Sequence, residues 1–132
     1  EIEFESVLGT SRDRNTQHFD KALKLTNNAD LAILYLGEES ILSGEAHCRS
    51  NIDLPGAQVE LIEHLSHSKT PIILVVLAVR PLTLQPILDK VDSILYAWHP
   101  GTMGVLAIAQ LLFGDALPSG KLPLCFSRVV GH

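Results

Sequence analysis

The stretch SGEAHCRSNIDLPG, residues 43–56, puts a carboxylate, Glu45, beside small, flexible residues and a histidine. Arg49, Asp53 and a Pro-Gly corner follow, and two further carboxylates, Glu38 and Glu39, stand just upstream. Positioned carboxyl groups donate and accept protons in general acid–base catalysis. A polar, poorly helical run between two strongly apolar segments is either a plain surface loop or part of a site.

The flanking segments decide where that run lies. TQHFDKALKLTNN, residues 16–28, repeats Phe19, Ala22 and Leu23 at helical spacing and ends on Asn27-Asn28. DLAILYLG, residues 30–37, is a compact apolar run stopped by glycine, and reads as a buried parallel strand. A second helix is expected from near Pro55 through about residue 67, with Ala57, Leu61, Ile62 and Leu65 inward. KTPIILVVLAV supplies a second core strand ending at Arg80-Pro81. Residues 82–91 read as a helix or helical turn bent at Pro86, and DSILYAWHPG, residues 92–101, as a third strand with its exit loop. Residues 102–113 form a helix apolar nearly all round, which predicts deep burial. Short extended pieces are expected at EIEFESV at the start and KLPLCF near the end.

Continuous apolar strands alternating with helices argue for an α/β fold, a mostly parallel sheet flanked by helices in three layers. Sites in such sheets form in the crevice beyond the carboxyl ends of the strands. Three polar segments share that address: Gly37–Pro55, Val79–Pro81 and Trp98–Gly104. The shared address favours a site over a plain loop for residues 43–56.

Bulk properties narrow the classes of function. A net charge of −5 with ten scattered Lys and Arg argues against a broad nucleic-acid surface. No apolar run approaches the ~20 residues that span a bilayer, and no signal peptide is expected where the chain opens on the acidic EIEFES. Cys48 and Cys125 form no metal or redox motif, and their pairing stays undetermined. His64 and His67 share a helix but lack a third ligand of good spacing, so exposed helix histidines are the better account.

Four segments in register, GEESILSGEAHCRSNIDLPGAQVELI, PIILVVLAVRPL, ILYAWHPGTMG and LLFGDALPSGKLPLCF, resemble the second domain of glycoside hydrolase family 3, the β-glucosidase and β-xylosidase type. The likeness runs over residues 13–132 and is greatest to the bacterial periplasmic β-glucosidase branch. It implies that residues 1–132 are part of a C-terminal α/β sandwich. It implies a separate N-terminal (β/α)8 barrel carrying a nucleophilic aspartate, for which this chain has too few βα units. A retaining exo-β-glycosidase acting on terminal β-linked sugars of oligosaccharides or glycosides is the implied activity. It needs no metal or organic cofactor, and the implied location is periplasmic or secreted. The fragment alone is expected to be inactive. A homo-oligomer is left open, as is the choice among glucose, xylose and N-acetylglucosamine.

The position matching the family's general acid/base is Glu45. Retaining glycosidases hold two carboxyl groups about 5–5.5 Å apart, one to attack the anomeric carbon and one to protonate the leaving oxygen. Glu38 and Glu39 compete for that role, and Glu38 has the alternative of anchoring Arg49 or a backbone amide. Arg49 and Asp53 match a family segment near the pocket, and an Arg–Asp pair fixing the loop is favoured over direct sugar contact. Trp98, followed by His99, either stacks its indole on a pyranose ring or fills the core at the sheet edge.

The chain departs from the family pattern where Val79 and Val105 replace usual glycines and where FSRVVGH lacks a proline after the phenylalanine. Bulkier residues there would narrow the pocket or shift a backbone. Two alternatives remain: a non-catalytic carbohydrate-binding or scaffold module packing on a barrel, and a flavodoxin-like nucleotide binder. The second lacks a glycine-rich loop after the first strand.

Overall fold

The computed structural model of the chain describes residues 1–131. Three parallel strands run in the order β1 (Ala32–Gly37), β2 (Ile72–Leu77), β3 (Ser93–Tyr96), with helices α1 (Phe19–Asn27), α2 (Gln58–Leu65) and α3 (Gly104–Leu112). The class is the parallel α/β arrangement expected from the alternation of apolar runs and helices. β1 and β2 pair from Ala32 opposite Ile72 to Gly37 opposite Leu77, and β2 and β3 from Ile73 opposite Ser93 to Val76 opposite Tyr96.

Side chains alternate between the faces of a strand, and one face carries most of the core. Ile72, with Leu34 and Leu36 beside it, clusters with Phe19 and Ala22 of α1 and with Leu61 and Leu65 of α2, while Leu74 and Val76 cluster with Ile62 of α2. The α2 contacts at Leu61, Ile62 and Leu65 make an i, i+1, i+4 stripe that keeps one side of a 3.6-residue period against the sheet. Ile62 and Leu74 are fully buried, each stabilising by about 1.5–3 kcal/mol through area removed from water. α1 has Asp20 in its first turn and Lys24 in its last, charges that complement the helix dipole. The opposite sheet face is thinly covered, with Val75 buried but Ile33 and Tyr35 exposed.

Five expectations are corrected or narrowed. The N-terminal residues EIEFESV form no strand, and Ile2 and Phe4 lie exposed. Of the helix or helical turn expected over residues 82–91, the turn is what forms, a 3-10 turn at Gln85–Ile87, where Pro86 removes an amide and Ile87 alone is buried. α3 buries only Gly104 and Ile108, while Val105 and Leu106 face solvent, so its apolar composition does not translate into burial. KLPLCF adds no strand, its leucines being exposed. α2 also begins at Gln58 rather than at the proline, with Leu54 and Pro55 buried ahead of it.

Candidate active site at the carboxyl edge of the sheet

The site begins where β1 stops. Gly37 has φ +144°, and a side chain there would overlap the backbone of Leu77 in β2. Its amide donates to Gln58 Oε1 at 2.7 Å, and Gln58 Nε2 donates back to the Gly37 carbonyl at 2.8 Å. The same Nε2 donates to the Ser11 carbonyl at 2.8 Å. Gln58 is a buried polar side chain of α2 whose donor and acceptor are both satisfied, which fixes the strand exit against helix and N-terminal loop.

The two residues after Gly37 diverge. Glu38 turns inward and its side chain has no exposed surface; Oε1 pairs with Arg49 Nη1, and Oε2 faces Arg80 Nε at 3.3 Å. The Arg80 contact lacks hydrogen-bond alignment, and both atoms are buried without another partner. Glu39 turns outward to the N-terminal loop, accepting from Ser11 Oγ at 2.8 Å and Arg12 Nε at 3.2 Å. The Ser11 hydrogen bond, then the Arg12 guanidinium, hold its carboxyl below the ordinary carboxylate value.

Arg49 and Asp53 do not pair through their charges. Arg49 Nη2 donates to the backbone carbonyl of Asp53 at 3.0 Å, while the Asp53 carboxylate accepts from the Thr83 hydroxyl. Asp53 and Thr83 form an isolated parallel bridge, and the Thr83 amide donates to the Ile52 carbonyl at 2.9 Å. The expected Arg–Asp ion pair is thus replaced by two links from this loop, one to Glu38 and one to the segment after β2. The carboxylate finds a better partner in a buried hydroxyl across the crevice than in an arginine already engaged by Glu38.

Arg80 reaches across the same loop, with Nη2 donating to Leu42 O at 2.6 Å and to His47 O at 3.5 Å. Glu45 stands between those two carbonyls. It is exposed, and it makes no hydrogen bond or ion pair among the described residues. Its neighbours Gly44 and Ala46 have φ +112° and +63°, and the turn closes with His47 N on Gly44 O at 3.2 Å.

β3 contributes Tyr96, whose hydroxyl donates to Arg80 O at 2.6 Å and accepts from Leu82 N at 3.0 Å. Burial pushes its phenol above the ordinary value. Its ring packs 4.7 Å from Trp98 and 4.9 Å from Phe126, between centroids. Trp98 is half-buried at φ +54°, a conformation rare for a bulky residue. His99 is exposed beyond it. Val79 and Val105, the two departures from glycine, both have exposed side chains.

The sheet edge therefore brings Glu38, Arg49, Asp53 and the Glu45 turn into one cluster, with Trp98 and Tyr96 at the end of β3. Arg80, Thr83, Gln58 and Tyr96 were not among the residues singled out from sequence. The Arg80-Pro81 pair directly after a core strand was the available signal, since it falls at the same carboxyl edge. Among the described residues no group of three or more His, Cys, Asp or Glu side chains could hold a metal ion. Cys48 and Cys125 are free and exposed.

Residues 3–132 match the model of the glycosyl hydrolase family 3 C-terminal domain. The chain belongs to that family. A periplasmic β-glucosidase of Salmonella typhimurium is 42% identical over 113 residues, covering 86% of this chain and 15% of the relative. A β-xylosidase of Formosa agariphila is 36% identical over 114 residues, with 86% and 16% covered. Among solved structures, the β-glucosidase of Listeria innocua in complex with isofagomine superposes at a TM-score of 0.89 and 30% identity, over 96% of this chain and 18% of that one. The family 3 domain described here thus spans about a sixth of the proteins it matches. No helix among its described residues is long and apolar enough to cross a membrane.

Proposed function

We propose that this domain supplies Glu45 as the general acid/base of a retaining exo-β-glycosidase acting on terminal β-linked sugars, glucose first. The observation that carries the reading is the contrast among three neighbouring carboxylates. Glu38 is sealed between two arginines, and Glu39 is tied to Ser11 and Arg12 with its pKa lowered. Of the three, Glu45 alone is exposed and without a partner among the described residues, at the tip of an anchored turn. A carboxyl held below its ordinary pKa is a poor proton donor at neutral pH, and a sealed one cannot reach a substrate.

In the reaction, a carboxylate from a barrel domain of the same enzyme attacks the anomeric carbon while the Glu45 carboxyl protonates the departing glycosidic oxygen. Glu45, now ionised, takes a proton from water as that water attacks the glycosyl ester and releases the sugar. Packing of the barrel over the turn would enclose Glu45 and exclude bulk water from the leaving oxygen. Trp98, followed by His99, borders the space a saccharide would enter. Relatives named β-xylosidase keep xylose open as the terminal sugar, and the periplasmic relative supports a periplasmic or secreted location.

The test is Glu45→Ala in the intact enzyme, assayed on aryl β-glucosides. The kcat/KM for poor leaving groups should fall by about 10²–10⁴-fold, that for good leaving groups far less, and azide should yield a β-glucosyl azide. A small, uniform loss would instead support a scaffold module whose acid lies elsewhere.

A further inference from the structure

We infer that Arg80 is a positioning residue that sets the orientation of Glu45; this rests on the acid/base reading of Glu45 above. Its Nη2 donates to carbonyls at residues 42 and 47, three positions before and two after that glutamate. One guanidinium group therefore closes the base of the turn like a clasp, leaving the tip free.

The geometry says which partner orients the arginine. Arg80 Nε lies 3.3 Å from Glu38 Oε2 yet is not aligned to donate to it, and both atoms remain buried without a hydrogen bond. The short bond, 2.6 Å, goes to the Leu42 carbonyl. The guanidinium is turned to serve the loop, while Glu38 supplies charge neutralisation. The planar fork of arginine can face a carboxylate on one edge and carbonyls on another, which a lysine ammonium cannot reproduce.

The turn needs such a clasp. Ala46 holds φ +63° without the freedom of glycine, and among the described residues Glu45 itself contributes no bond that would fix the loop. Backbone in this region persists only where the surroundings over-determine it. Arg80 is in turn held through its own carbonyl by Tyr96, so β3 stiffens the clasp from behind.

The experiment compares Arg80→Lys with wild type in the intact enzyme, using kcat/KM for an aryl β-glucoside with a poor leaving group and one with a good leaving group. Arg80→Lys keeps a cation opposite Glu38 and removes the two-carbonyl clasp. A misplaced acid should lower the poor-to-good ratio by about 10²-fold, and the ratio does not depend on the fraction of enzyme folded. If the lysine variant does not accumulate, Arg80→Gln gives the same ratio. In a Glu45→Ala background, Arg80→Lys should add nothing to the ratio, because both substitutions act through one proton transfer. An unchanged ratio, or an equal further fall in the Glu45→Ala background, would overturn the inference. If Glu45→Ala alone leaves the ratio unchanged, the acid/base reading itself fails. A shifted ratio in Glu45→Ala with none in Arg80→Lys rejects only the positioning role.

Discussion

The hydroxyl of Tyr96 donates to the carbonyl of Arg80 at 2.6 Å and accepts from the amide of Leu82 at 3.0 Å. One side chain at the end of β3 thereby holds both sides of the turn that leaves β2, and with it the arginine that spans the Glu45 loop.

Tyr96→Phe leaves that carbonyl and that amide unpaired in a partly buried place. The variant should lose about 1–2 kcal/mol of stability at neutral pH, read by urea unfolding. The wild type carries a second signature. Burial raises the Tyr96 phenol above 10.0, so its contribution is intact below that value and declines as pH rises through the higher folded one. Tyr96→Phe should lack that decline, and a matching alkaline profile in both proteins would refute the assignment.

Glu39→Gln tests the acid side. Its folded pKa lies below 4.5, chiefly through the Ser11 hydrogen bond and then Arg12. The stability it contributes is therefore present above 4.5 and is lost as pH falls through the lower folded value. Glu39→Gln should be less stable than wild type at neutral pH, and the two should converge in strong acid. Thermal unfolding across an acid series would show the convergence, and a constant gap would reject it.

Gly37→Ala should open the carboxyl end of the β1–β2 pair. The added methyl group would meet Leu77 backbone atoms, including its carbonyl carbon at 2.7 Å, at a φ that alanine avoids. Gly120→Ala, with nothing within 4 Å, is the matched control. Amide exchange at Glu38, which donates to Leu77 O at 2.8 Å, should accelerate in the first variant only. Equal protection in both would show that the strand exit tolerates a side chain.

The strands and α1 were legible because their signals are local: IILVVL has no polar residue to place outward, and Phe19, Ala22 and Leu23 repeat at helical spacing, the first two of them buried. α3 misled for the complementary reason. Its composition is apolar on every side, so periodicity could not say which residues meet a neighbour, and Val105 and Leu106 remain exposed. At the site, the position of the polar loop that carries Glu45, directly after β1, was legible. Arg80 was not, because its role depends on carbonyls at residues 42 and 47, contacts 38 and 33 positions away that no local pattern encodes. The Arg49–Asp53 pairing failed on the same ground: an i, i+4 spacing invites an ion pair, but Thr83 arrives from another strand's exit.

Trp98 is the only tryptophan of the chain, and it sits in the rare backbone conformation between Tyr96 and Phe126, 4.7 and 5.9 Å away by ring centroid. The domain thus carries its one indole fluorophore at the edge of its own crevice. Its emission reports local polarity there without any label, and the adjoining phenol is close enough to pass on absorbed light. Anything that covers the sheet edge, whether a saccharide or a docking protein surface, writes itself into one unambiguous optical signal.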